Sequence, residues 1–527
     1  MLSLHGALIC LMALAPLSLA IPTNVPSFQP GLMNYAAAEV APLIADATDA
    51  IDDHYMVVLK EDVASAAFVQ HRERIEGAQG EANVFSGKKN AMRHVFNAEG
   101  LMGYAGAFSD DVLAYIRAQP EVAYIEKDSV VKTMMIPQGN EHVRDMPETA
   151  AATRFPWENP FAHQTEIGAP WGLARISHRP GLTLGTFNKY VYEAAGGEGV
   201  VAYVIDTGIN TRHEDFEGRA SWGVTIPKGD TDTDSHGHGT HCAGTIGSKT
   251  YGVAKKAEIV AVKVLGSGGQ GSMSDVTAGV LWAVADAKAR TAAVLADPTA
   301  AQKHKGFVAS MSLGGGKSPT LDRAVDGAVS SGLHFAVAAG NENQDACNVS
   351  PAGAKKPVTV GASTIADDRA YFSNWGPCVD IFGPGLNVLS TWNSGPRALN
   401  TLSGTSMATP HIAGLMAYLL SIYGSADFAK LAEPTAVPAR PSQRAAVRAW
   451  AHKALFALHA FLPTTLQPVL DAYLPLDEHA AVSFIDSTLH PKDMKAALGR
   501  FASKGVLGGL EHDTVNKLAY NNATTVA

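Results

Sequence analysis

The segment Val200-Val201-Ala202-Tyr203-Val204-Ile205, followed at once by Asp206-Thr207-Gly208, constrains this chain more than any other. The run is apolar without alternation, so a strand made from it must be covered on both faces. That condition is met chiefly inside parallel sheets. Similar runs recur at 258–264, 308–312, 334–338 and 358–361, with small-residue helical stretches between them. This βαβ rhythm predicts an α/β fold with a doubly wound, mostly parallel sheet. Such sheets gather their working groups at the carboxyl ends of the strands, where the first run delivers Asp206.

Two further motifs supply groups that could work with that carboxylate. Ser403-Gly404-Thr405-Ser406-Met407-Ala408-Thr409-Pro410-His411 sets a serine in a tight turn ahead of an apolar helical run. A helix start offers unpaired N–H groups and the positive end of the helix dipole, both favourable to negative charge on a substrate oxygen. His236-Gly237-His238-Gly239-Thr240-His241-Cys242-Ala243-Gly244 places imidazoles in a glycine-rich turn before a second small-residue helix. A hydroxyl is a poor nucleophile at neutral pH and needs a general base, which in turn needs a group to fix its tautomer. Asp206, His238 and Ser406 make such a set, in the chain order Asp, His, Ser. A zinc hydrolase built on His236, His238 and His241 is the competing chemistry, but His-Glu-x-x-His and an acidic ligand cluster are missing.

In these motifs the chain resembles the subtilisin-family serine proteases, in particular the proteinase K branch and its fungal vacuolar, cerevisin-like members. The resemblance runs from Ala169-Pro170-Trp171-Gly172-Leu173-Ala174-Arg175-Ile176 to Leu415 and resumes near the C-terminus. It implies a serine endopeptidase in which Ser406 attacks, His238 relays the proton and Asp206 orients His238, with His241 structural. Asn341, in Ala338-Ala339-Gly340-Asn341, is implied as the side-chain donor to the oxyanion, beside the backbone N–H of Ser406. Gly269-Gln270-Gly271 and Ser312-Leu313-Gly314-Gly315 are implied to be the two strands that sandwich a peptide substrate. Gly314-Gly315 and Ala338-Ala339-Gly340 would wall the pocket before the scissile bond and favour large apolar or aromatic residues there. No cofactor is implied for catalysis. A structural calcium is, with Asp380 as carboxylate ligand and backbone carbonyls from Lys355 and Pro357. The resemblance also pairs Cys347 with Cys378 and leaves Cys242 as a free thiol near the base.

The remainder of the chain sets the organisation. Residues 1–20 are apolar and end in Ser18-Leu19-Ala20, as a cleaved secretory signal does. Residues 21–53 are rich in Pro and Ala without a period and are expected to be poorly ordered. Residues 54–132 carry runs for strands at 55–59, 93–96 and 122–126 and helices at 62–77 and 109–119. They are read as a β-α-β-β-α-β, ferredoxin-like α+β domain resembling the family's inhibitory propeptide. Residues 133–164 are expected to form an exposed, cleavable linker. Residues 165–527 would be the catalytic domain, with an insertion at 429–484 carrying an apolar helical stripe.

A net charge of −9 and the lack of a basic tract argue against nucleic acid. No later segment has the apolar length for a membrane span. Expected partners are protein and peptide substrates and the chain's own propeptide, with the protein a monomer of the vacuole lumen or cell exterior. Asn348 and Asn522 begin glycosylation sequons.

Overall fold

The computed structural model describes residues 26–35, 40–87, 89–136, 143–146, 163–296, 303–422 and 489–523. The signal segment and the 429–484 insertion lie outside them.

The N-terminal domain comprises β1 (Leu43–Ile44), β2 (Ala50–Leu59), α1 (Ser65–Ser86), β3 (Ala91–Ala98), β4 (Leu101–Ala107), α2 (Asp110–Arg117) and β5 (Val122–Thr133). Its sheet has the order β1-β5-β2-β4-β3. Val57, Leu59, Phe68, Ile75, Tyr104, Val112, Ile116 and Ile125 form the core between sheet and helices. Strand β4 is the member that the apolar runs did not reveal. Its Gly103 and Gly106 look like turn residues, yet a Cβ at either would run into the neighbouring carbonyl oxygen of Val57 or Ala91.

For the described residues 26–35 and 40–53 the expectation of poor order is corrected. Leu43 and Ile44 pair in parallel with Ile125 and Glu126, and β2 already begins at Ala50. Phe28 and Tyr35 both pack on Tyr115, each with ring centroids 5.4 Å from it. This segment borrows its core from α2, so it needs no period of its own.

After β6 (Arg144–Asp145), β7 (His163–Ile167), α3 (Trp171–Ile176) and β8 (Lys189–Glu193) comes the central sheet. It is built from β9 (Val200–Asp206), β10 (Ala220–Thr225), β11 (Glu258–Lys263), β13 (Gly306–Met311), β15 (His334–Ala338), β16 (Val358–Ser363) and β17 (Ile381–Pro384). These seven are parallel, in the order β10-β11-β9-β13-β15-β16-β17, and the short β21 and β20 (Lys517–Leu518 and Ser503–Lys504) close one edge. Helices α4 (His238–Gly247) and α7 (Thr405–Ile422) cover one face. Helices α5 (Met273–Ala296) and α6 (Pro319–Ser330) cover the other. Met56, Val58, Phe96 and Leu101 of the N-terminal domain join that second core, so α5 and α6 are held between two sheets.

Charge reinforces this junction. Glu126 accepts from the N–H (3.0 Å) and hydroxyl (2.5 Å) of Thr320 at the start of α6. Asp128 accepts from the N–H (3.1 Å) and hydroxyl (2.5 Å) of Ser274 at the start of α5. Each carboxylate meets the positive end of a helix dipole.

Within the 133–164 segment, Arg144 and Asp145 are exposed as expected, whereas its first residues are not. Residues 133–136 continue β5 into the cleft described next, with Met134 only 7% exposed. Arg144 and Asp145 pair with β19 (Ala398–Leu402), which in turn pairs with β18 (Val388–Thr391).

Candidate active site

Three chain turns converge at the carboxyl end of the central sheet. Asp206 is the last residue of β9, His238 the first of α4 and Ser406 the second of α7. Gly237 caps α4 with φ 103°, a left-handed backbone that suits glycine and turns His238 inward. His238 Nδ1 lies 2.7 Å from Asp206 Oδ1, and both residues are fully buried. Burial opposes a charge on His238 and the Asp206 carboxylate favours it. The carboxylate prevails and holds the imidazole pKa well above its usual value.

The Ser406 hydroxyl donates to the Ser312 carbonyl at 2.8 Å, and His238 Nε2 has no hydrogen-bond partner. Asn341 Oδ1 accepts from the backbone N–H (2.9 Å) and hydroxyl (2.8 Å) of Thr405. That leaves the buried Asn341 Nδ2 without a partner. Buried donors are rarely left so, and one beside a serine-bearing helix start is suited to an oxygen that gains charge during a reaction. Such an arrangement can carry out acyl transfer: a base held by a carboxylate, a hydroxyl nearby, and two N–H donors at one place.

The chain's own β5 fills the cleft. Val130, Val131 and Lys132 pair antiparallel with Ser272, Gly271 and Gln270 of β12 (Gln270–Ser272). On the opposite side Lys132 and Thr133 pair with Gly314 and Leu313 of β14 (Leu313–Gly314). Thr133 N–H donates to Gly269 O at 3.0 Å and Met134 N–H to Ser312 O at 3.2 Å. Gly315 lies under the Val130 carbonyl, where a Cβ would sit 2.8 Å from the oxygen. All seven residues read from the sequence as cleft strands thus line this peptide. Ala338 ends β15, and Ala339 and Gly340 lie in the turn after it. The two alanines are buried, and a Cβ on Gly340 would strike Asn374 and Glu342. Gly340 N–H donates to Thr405 Oγ1 at 3.3 Å, so this turn supports the helix start that carries Ser406.

Asp234 and Lys263 were missed in the motifs. Buried Asp234 accepts from Thr207 Oγ1, from the N–H groups of His236, Gly237 and Thr240, and from Thr240 Oγ1, at 2.6–3.1 Å. It holds the turn that aims His238. Lys263, also fully buried, donates to the carbonyls of Thr207 (2.9 Å) and Thr233 (3.1 Å). The Asp four residues before His238 was the available signal for the first. The second gave none.

The three histidines do not form a metal site. His241 Nε2 bonds the carbonyl oxygens of Val388 and Asn400, and burial pushes its pKa down to about 3. His236 lies beside Gly269, its ring centroid 6.2 Å from that of His238. Among the described residues, the group close enough to share an ion is Asp206, His238 and Cys242. Cys242 is free and buried, its sulfur 3.9 Å from His238 Nδ1. Cys347 and Cys378 form a disulfide. Of the sequon residues, Asn348 is exposed and Asn522 is half-buried.

The oxygens assigned to calcium hold a different cation. Lys495, on α8 (Pro491–Phe501), places its ammonium 2.8 Å from Asp380 Oδ2. It donates to Pro357 O at 2.7 Å and to Lys355 O at 3.4 Å. One carboxylate and two carbonyls fall short of the six to eight oxygens calcium takes, and the ammonium stands among them. With the ammonium in place these residues do not fit the ion.

The Subtilase family description matches residues 197–451, and that of peptidase inhibitor I9 matches residues 54–134. The subtilisin-like serine protease Pen c 2 of Penicillium citrinum is 52% identical over 433 residues, covering 79% of this chain and 87% of the relative. The chain belongs to the subtilase family. Pen ch 18 of Penicillium rubens, also called a subtilisin-like serine protease, is 44% identical over 519 residues, covering 96% of this chain and 88% of the relative. A solved cold adapted subtilisin-like serine proteinase is 38% identical and covers 67% of this chain and 98% of its own, with a TM-score of 0.47. This subtilase is a serine protease with an N-terminal inhibitor domain. Among the described residues no helix is long and apolar enough to cross a membrane.

Proposed function

We propose that the chain is a zymogen of a secretory-route endopeptidase, with Ser406 as nucleophile, His238 as general base and then acid, and Asp206 as the group that orients His238. The observation that carries this reading is the 2.7 Å Asp206–His238 contact beside a serine whose backbone N–H donates to a peptide carbonyl, Met134 O, at 3.0 Å. In hydrolysis the Ser406 hydroxyl leaves Ser312 for His238 Nε2, which takes its proton as Oγ adds to the carbonyl carbon. The oxyanion then rests between Ser406 N–H and Asn341 Nδ2. His238 returns the proton to the departing amine, and water completes the cycle through the same base.

A preference for large apolar residues before the scissile bond is supported by Met134, whose side chain is buried against Gly314. A side chain on that glycine would meet Met134 Cε 2.6 Å away. The apolar leader at 1–20 and the disulfide support passage through an oxidising compartment. Glycans at Asn348 and Asn522 belong to the same proposal.

Purified Ser406→Ala is expected to hydrolyse no peptide and to resist labelling by a fluorophosphonate that labels and inactivates the wild type. Chelators should leave turnover unchanged. Normal turnover in Ser406→Ala would end this assignment.

A further inference from the structure

We propose that Lys263 is a positioning residue of this site: its buried ammonium locks the strand end that carries Asp206 to the loop that aims His238. This inference rests on the serine-protease reading above and adds a residue to its machinery.

Lys263 ends β11 and lies opposite Asp206 in the parallel register with β9. The Asp206 carbonyl accepts from the two N–H groups that follow, Val264 at 2.9 Å and Leu265 at 3.2 Å. The Lys263 side chain is fully buried. An ammonium has three protons to donate and no acceptor, so burying one calls for oxygens to receive them. Lys263 meets three: Thr207 O at 2.9 Å, Thr233 O at 3.1 Å and Asp230 Oδ2 at 3.3 Å. The first belongs to the end of β9, the other two to the loop between β10 and α4.

Both carbonyls lead to the reacting pair. The Thr207 N–H donates to Asp206 Oδ1 at 2.7 Å. Its hydroxyl donates to Asp234 Oδ1 and accepts from Gly239 N–H, each at 2.9 Å. Gly239 is the residue after His238. Thr233 precedes Asp234, whose carboxylate holds the N–H groups of His236, Gly237 and Thr240. A ring of contacts thus runs from Asp206 through Thr207, Lys263 and Thr233 to the turn before His238, and returns through Gly239. The packing leaves little slack. A Cβ on Gly239 would lie 3.2 Å from Asp206 Oδ1, and one on Gly208 would lie 3.2 Å from Thr233 O. Without the ammonium, two carbonyls and a carboxylate would face one another with no donor between them. The loop would then move away and carry the His238 turn with it.

The charge of Lys263 matters as well as its bonds. The titratable groups around His238 and its turn are Asp206 on β9, Asp230, Asp234 and His236 in the loop, His241 and Cys242 on α4, His411 on α7 and Lys263 on β11. Burial pushes His241 down to about 3 and His411 down to about 4, and it pushes the Cys242 thiol up, so these three are neutral near pH 7. At His236, burial and then His238 lower the pKa, Asp206 and Asp234 oppose them, and the Lys263 cation adds to the lowering. With Lys263 neutralised, the three carboxylates would have no fixed cation among these groups. An imidazolium at His238 would then form more easily, and the base would keep its proton to higher pH.

The test is steady-state kinetics of the matured enzyme across pH, with rates taken per active site counted by fluorophosphonate titration. Lys263→Met should lower kcat by roughly 10–100-fold with little change in KM, the scale of a small misplacement of a reacting group. The acid limb of kcat/KM should also move up by about 0.5–1 pH unit. Lys263→Arg keeps the charge, so its acid limb should stay in place even if tight packing lowers kcat. Lys263→Gln keeps donors for the carbonyls without the charge, so its limb should rise. These two carry the test if circular dichroism shows that Lys263→Met does not fold. A loss confined to KM or to Tm, with kcat and the acid limb of Lys263→Met unchanged, would overturn the proposal. So would the same acid limb in Lys263→Arg and Lys263→Gln. Either result leaves the serine-protease reading intact, whereas a wild type that fluorophosphonate cannot label at Ser406 would sink that reading instead.

Discussion

Lys495→Ala isolates the value of a cation built into the chain. In the wild type, the ammonium pairs with Asp380 Oδ2 at 2.8 Å and donates to Pro357 O at 2.7 Å. Their side chains are 29% and 27% exposed, so the pair is intermediate between surface and core. Exposed pairs contribute about 0–1 kcal/mol, and breaking a buried one costs about 3–5 kcal/mol. A hydrogen bond from a charged group adds about 1.5–3 kcal/mol when well buried, and less at this exposure. Weighed by this exposure, the loss should be roughly 2–3 kcal/mol. Domains of 150–250 residues shift by about 2–4 °C per kcal/mol, and larger ones by less, so Tm should fall by roughly 3–8 °C. The assay is thermal unfolding of mature, fluorophosphonate-inactivated enzyme at one scan rate, in EDTA or in excess calcium. Lys495→Ala vacates three oxygens facing one point, so calcium should raise its Tm more than that of the wild type. An unchanged Tm in Lys495→Ala, or a calcium response larger in the wild type, would refute the reasoning.

Asn341→Leu should lower kcat by roughly 10²–10³ with little change in KM, the loss known for such a donor in subtilisin rather than one worked from these distances; steady-state kinetics with a peptide substrate would show an effect confined to KM if the oxyanion role is wrong. Acid should weaken the catalytic domain, because burial lowers the pKa of His241 to about 3, of His334 to about 3 and of His411 to about 4. Above pH 6.5 these three are neutral folded or unfolded and contribute nothing; below it the unfolded chain binds protons that the fold refuses, at up to about 1.4 kcal/mol per pH unit for each. Buried Glu166 and Asp322, with raised pKa values, act in the opposite sense nearer the carboxylate range, so the histidines should dominate between pH 6.5 and 5. Denaturant unfolding of inactivated mature enzyme should show stability falling over that window and a shallower slope in His334→Gln; a flat profile would contradict the assignment.

Central-sheet strands such as β9 and β15 were legible because unbroken apolar text leaves few alternatives. Two others were not. Edge strand β10 contains Ser221 and Gly223, and β17, buried and paired with β21, contains Gly383 and Pro384, so neither resembles a run. The groups at the site were legible because each lies in a contiguous motif that makes its own turn. Asp234 escaped notice because most of its partners are backbone N–H groups, which a sequence does not display. Lys495 could not be found at all: it meets Asp380 across 115 residues, on a helix that follows the insertion. Its arrival also explains why Asp380, which looked like a metal ligand by resemblance, is differently employed. The order within residues 40–53 was hidden for a similar reason, since those residues depend on α2 and β5 rather than on each other.

Strand β5 belongs to two sheets at once, and this makes activation a matter of concentration. While the strand is joined to the enzyme, the cleft sees it at an effective concentration in the millimolar range or above, which few outside peptides can match. Were the strand cut from the enzyme, closure would become a meeting of two molecules, and the fraction of open cleft would depend on how dilute they are. Crowded product would stay shut and diluted product would open. Each opened molecule could then digest the free fragments that close its neighbours, so opening would accelerate itself. A delay set by volume and time would then follow from one twelve-residue strand.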